Sequence, residues 1–336
     1  MKTIAFFNNK GGVGKTTLVY HLAWMFAETG VNVVAADLDP QSSLTSMFLE
    51  DDRLEELWPR GRHPLTIQGV IDPILRGVGD IRPLHVEPIT SQIGLVAGDL
   101  ALSGLEDKLS EAWLKCHDRD DSAFGTMTAF HQGLRMAAQE RDADVVLMDV
   151  APNLGAINRA ALIAADYVVI PLASDLFSLQ SLRSMGPRLR DWRTAWKELR
   201  ECSPCPESGD MNPTGYVVTQ YSTSPANAYR RWMDRIPAEY SQSVLGEGSP
   251  DNLRVEDDPH CLAKLRHYRS LMPLAMAAHK PIFLLKPADG AIGAHAEAVR
   301  DSYRDFRDLW RRIVESVDPA ARFTLPSLTR SPDPSE

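Results

Sequence analysis

The sequence has little cysteine, no long apolar run and no excess of positive charge. Its 336 residues include only four cysteines, which argues against a disulfide framework and is typical of the reducing cytoplasm. No run of 18 apolar residues occurs, and the first residues lead directly into an apolar strand pattern. We therefore expect neither a membrane-spanning helix nor a signal peptide. The formal net charge of −9 excludes a chain that is basic overall, so any DNA contact must come from a local patch.

Apolar residues make up 44% of the chain, which is sufficient for a substantial core. Short apolar runs rich in β-branched residues alternate with longer helical stretches. Most of these runs are apolar on both faces, as parallel strands are, and the alternation predicts an α/β fold with a doubly wound, mostly parallel sheet between helices. The predicted strands lie near 3–7, 32–36, 93–96, 145–149, 167–171, 215–219 and 281–285.

Residues 9–17, Asn-Lys-Gly-Gly-Val-Gly-Lys-Thr-Thr, lie between a strand pattern and a helical run, which is the setting of a phosphate-binding loop. Its glycines allow successive backbone N–H groups to face the phosphates, and the N-terminus of the following helix favours anions. Lys15 is placed to reach the β- and γ-phosphates, and the Thr16 hydroxyl to bind Mg²⁺. The predicted nucleotide-binding residues of this loop are Lys10, Gly11, Gly12, Val13, Gly14, Lys15, Thr16 and Thr17.

Carboxylates follow two other predicted strands. Asp37 and Asp39 come after the run at 33–36, and Asp149 ends the run at 145–148. Because ligands of parallel sheets bind at the carboxyl ends of the strands, we expect these acids to converge on the phosphate loop. Phosphoryl transfer to water needs cations, a metal and a group that orients water, and these residues can supply all three.

Residues 10–17 resemble the deviant Walker A motif of the ParA/MinD family of P-loop ATPases. Residues 33–41 are similar to the switch I of that family, and residues 145–153 to its Walker B and switch II. Ala151 and Asn153 depart from the Pro-Pro-Ser sequence that is most common in ParA proteins. The resemblance covers residues 1–315 and is most specific before residue 180, and it is closest to the ParA-type partition ATPases.

This resemblance implies ATP and Mg²⁺ as cofactors and an ATP-sandwich homodimer in which Lys10 contacts the phosphates held by the partner. It implies that Asp39 orients or activates the attacking water, although a turn acid before Pro40 remains the alternative. Thr16 and Asp149 would hold Mg²⁺, Asp149 through a water, with Asp37 supporting the metal side. The predicted catalytic residues are therefore Lys10, Lys15 and Asp39.

The resemblance also places base contacts at Thr219 and Pro287, which are otherwise ordinary strand-end loop residues. It implies non-specific DNA binding by basic residues of the C-terminal half, against the alternative of a solvated surface. The predicted helix at 183–200 also carries arginines, but we rank it below the groups at 230–235 and 264–269 as a DNA contact. The candidate DNA-binding residues are Arg230, Arg231, Arg235, Lys264, Arg266 and Arg269.

Cys202 and Cys205 have the C-x-x-C spacing of half a zinc or iron–sulfur site, and two unrelated loop cysteines are the alternative. Three classes of function therefore remain open. The first is a cytoplasmic, DNA-binding partition or positioning ATPase that associates with the nucleoid and is stimulated by a partner protein. The second is a metal or iron–sulfur carrier that uses this pair, and the third is a nucleotide switch that acts through protein partners without DNA.

We expect residues 1–318 to form a single ATPase domain with loop insertions near 201–213 and 246–259. The segment 319–336 is rich in proline and polar residues, which predicts a disordered tail. MinD relatives end in a basic amphipathic helix that lies on the membrane, whereas this tail is proline-rich and acidic. We therefore expect no membrane partner.

Overall fold

Eight strands form one sheet in a computed structural model that describes residues 1–69, 73, 83–203, 207–221, 231–248, 252–268 and 270–318. Their spatial order is β3-β4-β2-β5-β1-β6-β7-β8. Neighbouring strands are parallel except for β3 and β4, which are antiparallel. The strands are β1 (Lys2–Phe6), β2 (Val33–Leu38), β3 (Glu87–Pro88), β4 (Ile93–Val96), β5 (Val145–Val150), β6 (Tyr167–Ala173), β7 (Asn212–Tyr221) and β8 (Cys261–Arg266).

Helices connect the strands and cover both faces of the sheet, so the predicted doubly wound α/β fold is confirmed. The α-helices are α1 (Lys15–Glu28), α2 (Ser43–Phe48), α3 (Asp51–Leu57), α4 (Glu106–His117), α5 (Asp121–Met127), α6 (Ala129–Glu140), α7 (Ala156–Ile163), α8 (Leu176–Arg200), α9 (Ile236–Tyr240), α10 (Met272–Ala277) and α11 (Ala294–Val317). Shorter helical turns are the 3-10 turns Leu100–Leu105, Ile282–Leu284 and Pro287–Asp289 and the π turn Ser241–Leu245.

The central strand β1 is buried on both faces because its side chains alternate between two apolar layers. Ile4 and Phe6 pack in the layer that contains α1 and α11. Ala5 and the following Phe7 pack in the opposite layer, with α4 to α8. The loop that leaves this strand therefore starts from one of the most constrained positions in the fold.

The prediction of a strand near 281–285 is wrong. Pro281 lacks an N–H group for a strand ladder, and Ile282–Leu284 form a 3-10 turn that buries Ile282 and Phe283 in the core. The edge strand β8 was not predicted, because its sequence mixes apolar residues with Lys264 and Arg266. Strand β7 begins at Asn212, inside the predicted insertion at 201–213.

Other predictions fall partly or wholly outside the described residues. These are residues 204–206 and 249–251 of the two predicted insertions, and the whole predicted tail at 319–336.

Candidate nucleotide-binding site

The phosphate loop joins β1 to α1 and is fastened to the neighbouring strand β6. The Asn8 amide nitrogen donates to the carbonyl oxygen of Pro171 at 2.6 Å, and its oxygen accepts from the N–H of Lys10 at 2.8 Å. Gly12 and Gly14 have φ of 74° and 84°, where an L side chain is strained. Gly14 is also the N-cap of α1, so the glycines allow the chain to turn directly into the helix.

Lys15 stands at the first position of α1 with 6% of its surface exposed. Burial lowers the pKa of its ammonium group from the usual value, and the carboxylates of Asp149 and Asp39 act in the opposite direction. A buried cation near two acids at the entrance of a helix is suited to bind an anion such as a phosphate.

Asp149 and Thr16 form the predicted pair across the loop. The Thr16 hydroxyl donates to Asp149 Oδ2 at 2.6 Å, and the other carboxylate oxygen is buried with no hydrogen-bond partner among the described residues. Burial and the neighbouring Asp37 raise the pKa of Asp149 to about 8. A hydroxyl and a buried carboxylate with a free oxygen fit Mg²⁺, which binds oxygen ligands and would stabilise the ionised form.

Asp37 lies at the end of β2 and organises the turn that follows it. Its Oδ2 accepts from both the N–H and the hydroxyl of Thr45, at 2.8 and 2.7 Å, and its Oδ1 accepts from the N–H of Asp39 at 3.3 Å. Burial raises the pKa of Asp37 to about 7 against these hydrogen bonds. A Cβ atom on Gly98 would lie 2.8 Å from Asp37 Cγ, so a glycine there permits this packing. With both oxygens occupied, Asp37 acts on the site mainly by holding the turn.

Asp39 follows on the same turn and is 8% exposed. Its Oδ1 accepts from the N–H of Gln41 at 2.9 Å, which is the bond of a turn acid. The same carboxylate raises the pKa of Lys15, so it lies within electrostatic reach of the phosphate loop. The geometry therefore supports the turn role directly and puts the carboxylate close enough to Lys15 to act on its charge.

Lys10 is held by its own chain. Its Nζ lies 2.5 Å from Asp175 Oδ2 and 5.9 Å from the centre of the exposed Phe177 ring. Asp175 is also the N-cap of α8, where its other oxygen accepts from the N–H of Ser178 at 2.8 Å. The side chains of Lys10 and Asp175 are 24% and 35% exposed, so the ion pair lies at the surface beside the loop.

A cavity of about 130 Å³ lies on the other side of the loop, next to Gly14 and Thr17. The end of β7 closes it: the Thr219 hydroxyl donates to the carbonyl of Val13 at 2.9 Å, and the Gln220 amide donates to that of Gly12 at 2.9 Å. Its predominantly apolar wall adjoins the loop, as a site for a nucleotide base must. The lining residues are Gly14, Thr17, Leu18, Thr219, Gln220, Leu265, Arg266, His267, Tyr268, Met272, Ile282 and Phe306.

The chain is similar in sequence to known ATPases and partition proteins. A family model described as an AAA domain matches residues 1–199, more than half of the chain. IncC of Escherichia coli is 31% identical over 214 residues, which are 63% of this chain and 52% of IncC. The chromosome-partitioning ATPase Soj of Thermus thermophilus is 28% identical over 263 residues, 77% of this chain and 85% of Soj. This chain belongs to the ParA/MinD family of P-loop ATPases.

The chain spans about half the length of IncC, whereas it spans most of Soj. Among solved structures, protein DIP2308 of Corynebacterium diphtheriae superposes with a TM-score of 0.72 at 23% identity. That superposition covers 95% of this chain and 100% of the other. At this identity it supports the fold only, and says nothing of the function.

The candidate DNA-binding residues of this ParA/MinD-family chain differ in their surroundings. Lys264 Nζ lies 2.7 Å from Glu256 Oε1, and Arg266 Nη1 lies 3.1 Å from Asp301 Oδ2. Arg231 and Arg235 instead flank the ring of Trp232, at 5.4 and 5.7 Å from its centre. Neither of these two arginines forms an ion pair within the described parts of the chain. Arg230 and Arg269 lie outside the described residues.

The structure gives little support to two predicted sites, the base contact at Pro287 and the metal site at Cys202 and Cys205. Pro287 is exposed on a 3-10 turn and does not line the cavity beside the phosphate loop. Cys202 is an exposed free cysteine, whereas Cys205 lies outside the described residues. The described residues contain no group of three or more His, Cys, Asp or Glu side chains that could hold a metal ion.

The sequence-based interpretation missed most of the cavity wall. Residues 265–268 are the last two residues of the unpredicted strand β8 and the two that follow it, and Ile282 belongs to the segment that was predicted as a strand. Phe306 lies on the buried face of α11, which packs on the sheet. None of the helices in the described parts of the chain has both the length and the apolar composition of a membrane span.

Proposed function

We propose that this chain binds MgATP, forms an ATP-sandwich homodimer and hydrolyses ATP to ADP and phosphate as a switch in DNA partition or cargo positioning. A partner protein stimulates hydrolysis, and the ATP-bound dimer binds DNA without sequence specificity. The observation that carries the proposal is the convergence of Lys15, Thr16, Asp39 and Asp149 on one sheet edge, beside the second lysine Lys10. The similarity to Soj, a chromosome-partitioning ATPase by name, supports it.

The residues of the site divide the chemistry among them. The N–H groups of the loop and the Lys15 ammonium hold the phosphates, whose negative charge offsets the cost of burying that ammonium. Thr16 and Asp149 would hold Mg²⁺, which when bound neutralises charge on the phosphates. Asp39 orients the attacking water and accepts its proton, while its bond to the N–H of Gln41 fixes the carboxylate on the turn.

Lys10 links the site to a second copy of the chain. To reach a phosphate of the partner, its ammonium must leave Asp175, and the exposure of this ion pair permits the exchange. Surface ion pairs contribute only about 0–1 kcal/mol, whereas a charge-assisted bond to a phosphate within an interface is stronger. The exchange of Asp175 for a phosphate is therefore favourable once the second copy brings its nucleotide.

Lys10→Ala should bind the non-hydrolysable analogue AMPPNP with Mg²⁺ but dimerise at least about 10-fold more weakly than the wild type. The nucleotide is held by the chain's own Lys15, and only the contact across the interface is lost. Analytical ultracentrifugation with and without AMPPNP measures both monomer and dimer. Lys197→Ala, which removes an exposed lysine of α8, is the matched control and should dimerise normally. Unchanged dimerisation of Lys10→Ala would contradict the sandwich arrangement.

DNA binding should depend on Arg231 and Arg235 more than on Lys264 and Arg266. The first pair is exposed around Trp232 without a counter-ion in the described residues, whereas the second pair is neutralised by acids. The double variant Arg231→Ala/Arg235→Ala should reduce the slope of log Kd against log salt by about 2 for each protomer that contacts DNA, and so by about 4 for the dimer. The variant Arg254→Ala/Lys264→Ala, with the same change of charge at residues paired with Asp257 and Glu256, is the control.

The DNA experiment uses duplexes of random sequence, with AMPPNP and at several salt concentrations. Equal losses in both double variants would mean that the overall charge, rather than the surface around Trp232, determines the affinity. Absence of binding in an AMPPNP-bound wild-type dimer would favour a switch that acts through protein partners without DNA.

A further inference from the structure

His21 lies on α1, completely buried behind the phosphate loop. Its Nδ1 lies 2.7 Å from the carbonyl oxygen of Thr17, and its Nε2 lies 3.1 Å from the backbone nitrogen of Ile282. A carbonyl accepts and an amide donates, so these partners require a neutral imidazole with its proton on Nδ1. Burial lowers the pKa of His21 to about 4, which keeps the ring neutral at physiological pH.

The neighbours of this imidazole are parts of the cavity wall. Thr17, Ile282 and Phe306 all line the cavity beside Gly14, and His21 itself does not. The Phe306 ring stacks on the imidazole with centres 4.8 Å apart and planes 15° apart. His21 therefore connects three elements that are distant in sequence: the helix that starts at the phosphate loop, the 3-10 turn Ile282–Leu284 and α11.

The connection is specific to the geometry of a histidine. One planar ring donates to α1 and accepts from the turn at the same time, while its face packs on an aromatic ring. The N–H of Ile282 is buried and has His21 as its acceptor. Removal of the ring would leave that N–H without its partner and release the turn from α1.

We propose that His21 is a positioning residue that holds the wall of the base cavity at a set distance from the phosphate loop and thereby determines the affinity for the base and sugar part of the nucleotide. The proposal rests on the proposed nucleotide site and adds to it. The triphosphate part should be insensitive to His21, because the loop is held independently by Asn8, Thr219 and Gln220.

A pair of variants separates the two hydrogen bonds of His21. In His21→Asn the short amide can still donate to Thr17 but cannot reach Ile282, whereas in His21→Gln the longer amide can accept from Ile282. Titration calorimetry measures the affinity of each variant for AMPPNP and for inorganic tripolyphosphate, both with Mg²⁺. His21→Asn should bind AMPPNP about 10-fold more weakly and tripolyphosphate within about 2-fold of the wild type. His21→Gln should recover most of the AMPPNP affinity.

His131→Asn is the matched control, because His131 is a second buried histidine on α6 that lines a different cavity, with Thr3 and Asp166. It should leave both affinities unchanged. Equal losses for AMPPNP and tripolyphosphate in His21→Asn, or no loss for either, would overturn the positioning role. A wild type that binds neither compound would instead overturn the proposed nucleotide site, so the two failures are distinguishable.

Hydrogen exchange of the wild-type protein tests the same inference without a variant that must fold. AMPPNP should slow exchange in peptides that cover 282–285 by at least about 3-fold beyond the effect of tripolyphosphate. The reason is that the base and sugar would contact the cavity wall that His21 holds in place. Equal protection by both compounds would show that the wall does not respond to the base and would contradict the proposal.

Discussion

Replacement of Lys15 by methionine should reduce the affinity for MgATP by about 100-fold or more, because the charge-assisted bonds to the phosphates are lost. The fold should persist, since methionine keeps the apolar stem of the side chain. The nucleotide-free variant should be at least as stable as the wild type, because burial disfavours the ammonium ion when no anion is bound. Calorimetric titration with AMPPNP and thermal unfolding without nucleotide measure the two effects.

Lys197→Met is the control for the loss of a lysine, because Lys197 is exposed on α8 and remote in sequence from the phosphate loop. It should change neither AMPPNP affinity nor thermal stability. Retention of tight AMPPNP binding by Lys15→Met would contradict the assignment of the loop. A large fall in the stability of the nucleotide-free variant would contradict the electrostatic interpretation of the buried ammonium.

Replacement of Asp39 should abolish most hydrolysis while ATP binding remains. The phosphates are held by the loop and Lys15 in the proposed site, whereas Asp39 lies on the turn after β2 and is proposed to orient the attacking water. Loss of a general base or water-orienting group typically costs about 100- to 10,000-fold in rate. Single-turnover measurements with radiolabelled ATP should show a reduction in this range for both Asp39→Ala and Asp39→Asn, with a stable ATP-bound dimer.

The two variants distinguish a role of Asp39 in catalysis from a role in holding the turn. Asparagine retains an oxygen that can accept from the N–H of Gln41 but has no carboxylate, so it preserves the turn and removes the base. A loss of hydrolysis in both variants supports the catalytic role. If Asp39→Asn hydrolyses ATP like the wild type and Asp39→Ala does not, Asp39 acts on the turn rather than on water.

The phosphate loop was predictable because its determinants are local. The residue order in 9–17, with glycines at the positions that have positive φ and a strand before and a helix after, specifies the conformation within one short segment. The acids Asp37, Asp39 and Asp149 were predictable for a related reason: parallel strands end at the same sheet edge, so a residue that ends a strand pattern has a known place.

The proposed base cavity was less predictable because it depends on segments whose local patterns are weak or misleading. The edge strand β8 carries charged residues on its exposed side, and the apolar run at 282–285 packs as a turn although it reads as a strand. Pro287 was expected near the base from the family resemblance and stays a prediction, whereas residues 265–268, Ile282 and Phe306, which line the cavity, were not expected there. The extent of the ATPase domain remains a prediction.

Local patterns of residues were sufficient to predict the fold class, the phosphate loop and the acids around it. The contacts that the side chains of this site make are seen only in the folded chain. Folding paired Lys10 with Asp175, 165 residues away, and His21 with Ile282, 261 residues away. It also separated the arginines around Trp232 from the basic residues already neutralised by acids. Contacts of this kind depend on how the whole chain packs, which no local pattern specifies.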